Sequence, residues 1–125
     1  MKPSNRDQDW AEAAPLLARA LRDSDDTVEE LRQACRDGIA CLLVDEAAYC
    51  VLSPVAHAGG VDLLVWAAVS RGPVGLLKAW VPRFEEFARS LGVRRLAFKT
   101  APRRAYERLL PDGWAPRQVL WAKEV

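Results

Sequence analysis

The sequence lacks any long uninterrupted hydrophobic run. The longest candidate, residues 63–69, has the length of a strand, whereas a membrane-spanning helix needs about 20 apolar residues. The polar N-terminal segment carries Asp7 and Asp9, and it has neither the basic start nor the apolar core of a secretory signal. We therefore expect no membrane association and a cytoplasmic location.

Residues that bind metals are scarce. The three cysteines, Cys35, Cys41 and Cys50, form no C-x-x-C pair, and the single histidine, His57, cannot form an H-x-x-x-H pair. An odd cysteine count without paired spacing favours neither a disulfide framework nor a zinc site. We expect free thiols and no metal.

Charge is unevenly distributed although the net charge is only +1. Residues 1–70 hold 6 basic and 12 acidic side chains, and residues 71–125 hold 12 basic and 5 acidic ones. The basic part could meet phosphates, nucleic acid or an acidic partner, or the two parts could attract each other within one fold. No nucleic-acid-recognition motif accompanies the basic residues, so nucleic acid is the weakest of these alternatives.

The N-terminal 38 residues predict two amphipathic helices. Apolar residues recur at three- and four-residue spacing from Trp10 onward, and Pro15 favours a helix start near Ala13. Asp26 and Glu29 have the spacing of a capping box for a second helix that ends at Gly38.

The remaining sequence predicts a sheet with two further helices. Strands are expected at 39–44, 49–55, 61–70, 93–99 and 115–125, and helices at 76–91, kinked at Pro82, and at 102–110. The linker 56–60, which contains His57, has hairpin-turn chemistry. The predicted fold is a single α/β (α+β) domain over 1–125, with N-terminal helices in 1–38 and a sheet core in 39–125. The sheet is mixed and mainly antiparallel, with one parallel strand-helix-strand crossover, and helices flank it.

Two segments carry a resemblance to a known family. Residues 102–114 match the pattern N-x-x-A-x-x-x-Y-x-x-x-G-F at Ala105, Gly113 and the aromatic Trp114. Residues 70–75 lie where the same family has Q/R-x-x-G-x-G/A between a strand and a long helix. With this element order, the chain resembles the GNAT acyl-CoA N-acyltransferase superfamily, as a short divergent member similar to the GNAT-like proteins that tailed phages encode.

The resemblance implies acetyl-CoA as the acyl donor and direct transfer to an amine. It implies cofactor binding by residues near the two motifs, namely Arg71, Gly72, Val74, Gly75 and Arg103. Tyr106 would be the general acid, because Leu109 stands where the family has its tyrosine. Pro73 and Pro102 replace a family glycine and asparagine.

Asp62 is a second catalytic candidate, as a general base. Strand alternation predicts that it shares one face, a candidate cleft wall, with Leu64, Trp66, Ala68 and Ser70. Outside these motifs, His57 is expected to be an exposed loop residue, and Trp10 is a candidate anchor for a partner.

Two functional hypotheses remain open. The first is an N-acyltransferase with an unidentified acceptor amine, acting in the cytoplasm. The second is a catalytically inactive GNAT-fold protein that binds a protein partner or joins an assembly, such as a phage virion component in the host cytoplasm or the virion. The three replaced motif positions favour the second hypothesis, and the element order favours the first.

Overall fold

The computed structural model describes residues 2–22, 26–46, 48–70, 76–93 and 95–98. In chain order these form β1 (Lys2–Ser4), α1 (Asp7–Ala20), α2 (Val28–Arg36), β2 (Cys41–Asp45), β3 (Ala48–His57), β4 (Gly60–Ser70), α3 (Leu76–Leu91) and β5 (Arg95–Phe98). The five strands form one sheet in the order β1-β2-β3-β4-β5. The helix predicted at 102–110 and the strand predicted at 115–125 lie outside the described residues.

The predicted fold class is confirmed. The pairs β1–β2, β2–β3 and β3–β4 are antiparallel, and β4–β5 is parallel. Because α3 joins β4 to β5, this parallel pair is the predicted strand-helix-strand crossover. Strand β1 was not predicted, and His57 is the last residue of β3 rather than part of the linker.

Helix α1 begins six residues earlier than the position predicted near Ala13, and it runs through Pro15. Pro15 has no backbone N–H, so the carbonyl of Ala11 loses its helical partner. Both residues are exposed, and water can therefore satisfy that carbonyl. Helix α3 likewise continues through Pro82.

Helix α2 is capped by a different residue from the one predicted. Thr27 is the N-cap, and its Oγ1 accepts a hydrogen bond from the Glu30 backbone N–H at 3.2 Å. The capping box expected from Asp26 and Glu29 is therefore wrong by one residue. At the other end, Gly38 has a φ of 75°, a left-handed conformation that glycine adopts without steric cost and that turns the chain toward β2.

Apolar side chains cover both faces of the sheet. On one face, α1 and α2 pack over a cluster that includes Trp10, Leu17, Leu31 and Val51. Trp10 is only 1% exposed, so its expected role as an anchor for a partner is wrong: it belongs to the core. The Arg32 guanidinium carbon lies 6.0 Å from the centre of a Trp10 ring and covers the indole from the solvent side.

The opposite face packs against α3. Phe84 of this helix is fully buried, and it meets Trp80 edge-on at a centroid separation of 6.2 Å. Sheet residues on this side include Leu43, Leu52, Leu63 and Val65. Within the described residues, no helix is long and apolar enough to cross a membrane.

Candidate functional site

A bulge interrupts β4 at Trp66. Val51 of β3 lies opposite Ala67, but the next residue, Leu52, lies opposite Val65, so Trp66 is an extra residue in β4. A bulge bends the strand and disrupts the regular ladder of hydrogen bonds at that point.

The bulge also changes which side chains share a face. Trp66 packs against the core under α1 and α2, whereas Ala68 packs against the core under α3. Leu63 and Val65 face α3, so Asp62 and Leu64 lie on the same side as Trp66, as predicted. The prediction that this face also includes Ala68 is wrong, because strict alternation fails at the extra residue.

The described residues of β5 pair with the first part of β4. This pairing extends from Asp62–Arg95 to Val65–Phe98, and β4 runs on to Ser70. Among the described strands, none pairs with this edge of β4 past Val65. The bulge thus lies at the point where the described β4–β5 ladder ends.

The Asp26 side chain contacts the bulge from the face of the sheet that α1 and α2 cover. It lies in the segment between α1 and α2, and its Oδ2 accepts a hydrogen bond from Trp66 Nε1 at 3.0 Å. Both side chains are half-buried. Since Thr27 caps α2, the Asp26 carboxylate makes a long-range contact instead of the local one that the sequence indicated.

A second carboxylate reaches the same face of the sheet. The Tyr49 hydroxyl donates to Glu12 Oε2 at 3.0 Å, and Tyr49 itself is buried. Tyr49 lies opposite Val69 in β4, three residues after the bulge. Glu12 and Asp26 therefore both stand over the second half of β4, on the side of α1 and α2.

Asp62, the predicted base, lies at the other end of β4. Its carboxylate oxygens accept hydrogen bonds from Nε and Nη2 of Arg95, each at 3.0 Å, and the Asp62 side chain is only 7% exposed. Hydrogen bonding to Asp62 raises the pKa of the Arg95 guanidinium. This paired arrangement joins β4 to β5, and a role for Asp62 as a base stays a prediction.

The remaining predicted site residues lie outside the described residues: Arg71, Gly72, Val74, Gly75, Arg103 and Tyr106. The structure does establish that α3 begins at Leu76, directly after Gly75. Residues 71–75 therefore lie in sequence between the end of β4 and the N-terminus of α3.

The described part of the chain contains no group of three or more His, Cys, Asp or Glu residues able to hold a metal ion. The cysteines are free. Burial, and to a smaller extent the nearby Cys41, raises the pKa of Cys35 to about 11, while burial also raises the pKa values of Cys41 and Cys50. A cavity of about 220 Å³ at the β1–β2 edge is lined in part by Ser4, Cys35 and Cys41, and none of its lining residues belongs to β4.

Comparison with known proteins identifies the fold. No protein-family model matches the chain, and no curated protein matches it. A "possible acetyltransferase" from Clostridium difficile 630 superposes with a TM-score of 0.71 at 9% identity, covering 99% of this chain and 95% of that one. A ribosomal-protein-alanine N-acetyltransferase from Brucella melitensis biovar Abortus 2308 gives 0.57 at 18% identity, covering 91% and 94%.

A third solved structure, a transcriptional regulator from Bacillus halodurans C-125, gives a TM-score of 0.67 at 14% identity, covering 99% of this chain and 97% of that one. All three identities are too low to carry function, but the architecture is shared over nearly the whole of each chain. The protein has a GNAT-like fold.

Proposed function

We propose that the protein is an acyl-CoA-dependent N-acyltransferase that transfers an acyl group directly to an amine. The observation that carries this proposal is the bulge at Trp66, in the strand that α3 connects to the parallel strand β5. The likeness in fold to two structures named as acetyltransferases supports it.

Backbone groups of β4 would provide the main catalytic assistance. A bulge reorients the backbone N–H groups of the strand relative to the regular ladder, and a backbone donor held in a fixed orientation can stabilise the negative charge that develops on a carbonyl oxygen during acyl transfer. When bound, acyl-CoA supplies a thioester, whose carbonyl carbon bonds to the amine nitrogen while its C–S bond breaks and the thiolate leaves. In this proposal Tyr106 gives the thiolate a proton, and Asp62 is the candidate base that takes the proton lost by the amine nitrogen.

The segment before α3 would bind the phosphates of the donor. Backbone N–H groups at a helix N-terminus favour anions, and α3 begins at Leu76. We assign phosphate binding to Arg71, Gly72, Val74, Gly75 and Arg103. Pro73 offers no N–H donor at the segment's centre, so we expect affinity to depend strongly on the arginines.

Calorimetry with acetyl-CoA tests the proposal. We expect the wild-type protein to bind acetyl-CoA and Arg71→Ala to bind it about tenfold more weakly, since a hydrogen bond to a charged group contributes roughly 1.5–3 kcal/mol. Arg36→Ala, which alters an exposed arginine at the end of α2, is the control and should bind as the wild type does. Absence of detectable binding at millimolar acetyl-CoA would refute the proposal.

A second candidate is a GNAT-fold protein that binds a partner without catalysis, as a virion component would. Its support comes from Pro73, Pro102 and Leu109, which replace three residues of the family motifs. This candidate predicts a stable assembly in light scattering and no acyl transfer to a panel of amines. A monomer that acetylates any amine of the panel would exclude it.

A further inference from the structure

Trp66 connects the bulge in β4 to the segment between α1 and α2. It is the extra residue of the strand, so its backbone torsions determine where the backbone N–H of the bulge points. Its ring packs against the core beneath α1 and α2, and its Nε1–H donates to Asp26 at 3.0 Å. The indole is therefore held both along its apolar surface and at its polar end.

Asp26 is well placed to hold that indole. Thr27 caps α2 through its Oγ1, which relieves the neighbouring carboxylate of the capping role. A hydrogen bond that includes a charged acceptor is stronger than one between neutral groups. Asp26 thus connects the start of α2 to the bulge, 40 residues away in sequence.

We propose that Asp26 is a positioning residue for acyl transfer: by holding the Trp66 indole, it fixes the backbone of the bulge in the orientation that meets the thioester carbonyl. This inference rests on the proposed acyltransferase function and adds a residue outside both family motifs. It has a specific consequence. Asp26 should affect binding of the acyl group, and it should not affect binding of the rest of the CoA molecule.

The ratio of the affinities for acetyl-CoA and for CoA, called the preference below, measures this consequence without requiring turnover. Calorimetry with the two ligands would compare wild type with Asp26→Ala, Asp26→Asn, Trp66→Phe and the double variant Asp26→Ala/Trp66→Phe. We expect Asp26→Ala and Trp66→Phe each to reduce the preference about fivefold, which is the worth of one hydrogen bond, with CoA affinity unchanged. The double variant should lose no more than either single one, because both remove the same contact.

Two further variants separate positioning from general damage. Asp26→Asn keeps an oxygen acceptor for the indole N–H and should retain most of the preference. Asp7→Ala removes another carboxylate from the same helical layer, one that meets Arg32 at 2.6 Å and makes no contact with β4 in the described structure. It should leave the preference unchanged.

A direct spectroscopic measurement accompanies the titrations. The Trp66 indole signal in a ¹⁵N–¹H spectrum is assigned by its loss in Trp66→Phe, and its exchange with solvent should accelerate in Asp26→Ala but much less in Asp26→Asn. If wild type binds acetyl-CoA and Asp26→Ala keeps the full preference, the positioning role is wrong and the proposed function stands. If the wild-type protein binds neither acetyl-CoA nor CoA, both the positioning role and the proposed function are wrong.

Discussion

The two halves of β4 are both mostly apolar, but their surroundings differ. In the first half, residues 62–65 lie between β3 and the parallel β5, and Asp62 joins this half to Arg95 by two hydrogen bonds. Residues 66–70 follow the bulge, remain paired with β3, and lie under side chains from α1 and its following segment. One strand therefore combines a half that pairs with the described part of β5 and a half that lies under side chains from the helices.

The largest expected effect comes from the first half. Leu63 is 2% exposed and packs against α3, so Leu63→Ala should lower the free energy of unfolding by about 2–5 kcal/mol. Urea denaturation would measure it. Leu64→Ala, at a half-buried neighbour on the opposite face, should cost less. If the two variants lose the same free energy of unfolding, packing against α3 does not stabilise this half of β4 more than packing on the opposite face does.

The ion pair at the start of β4 tests whether Asp62 acts in stability or in catalysis. We expect Asp62→Asn to lower the urea midpoint, because a neutral amide interacts more weakly with Arg95, and to leave acetyl-CoA affinity unchanged. Its role as the candidate base also predicts that turnover of a folded Asp62→Asn variant falls by a factor of about 100 or more, and unchanged turnover would exclude that role.

Adjacent residues at the start of α2 should behave differently. Thr27→Ala removes the N-cap and should cost about 1 kcal/mol of stability. Because Asp26 holds Trp66 and Thr27 does not, Thr27→Ala should leave the Trp66 indole signal in place. Thermal unfolding and the ¹⁵N–¹H spectrum measure these two outcomes. Loss of the Trp66 indole signal in Thr27→Ala would contradict the claim that Asp26 and Thr27 have separate roles.

The smallest expected effect concerns the alkylation rates of two cysteines, Cys35 and Cys50. The thiolate is the reactive form, and the pKa of Cys35 is raised to about 11. Its alkylation rate should therefore rise about tenfold per pH unit well past pH 8.5, where an ordinary thiol begins to level off. Cys50, buried opposite Ala68 in the second half of β4, should stay unlabelled. Mass spectrometry of peptides labelled with iodoacetamide distinguishes the two, and rapid labelling of Cys50 would show that this half opens readily.

Much of the fold could be predicted because its elements follow strong local patterns. The amphipathic spacing before Gly92 predicted α3, and the apolar run before Ser70 predicted β4. The crossover between β4 and β5 then followed from general rules of chain connection. Strand β1, by contrast, has a polar three-residue sequence, Lys2–Ser4, and forms only because β2 offers an edge for pairing.

The geometry of the site was harder to predict. Residues 63–69 are all apolar, so alternation between polar and apolar residues could not reveal an extra residue at Trp66. Asp26 and Thr27 are both good caps, and local sequence cannot decide which one a distant indole will recruit. The tertiary contact selects Asp26, and Thr27 then caps the helix.

Amide hydrogen exchange with and without acetyl-CoA tests the central claim most directly. If the second half of β4 is the acyl-donor site, acetyl-CoA should slow exchange of amides in residues 66–70 and leave residues 62–65 unchanged. Unchanged exchange throughout β4 at millimolar acetyl-CoA, or protection confined to residues 62–65, would contradict the account.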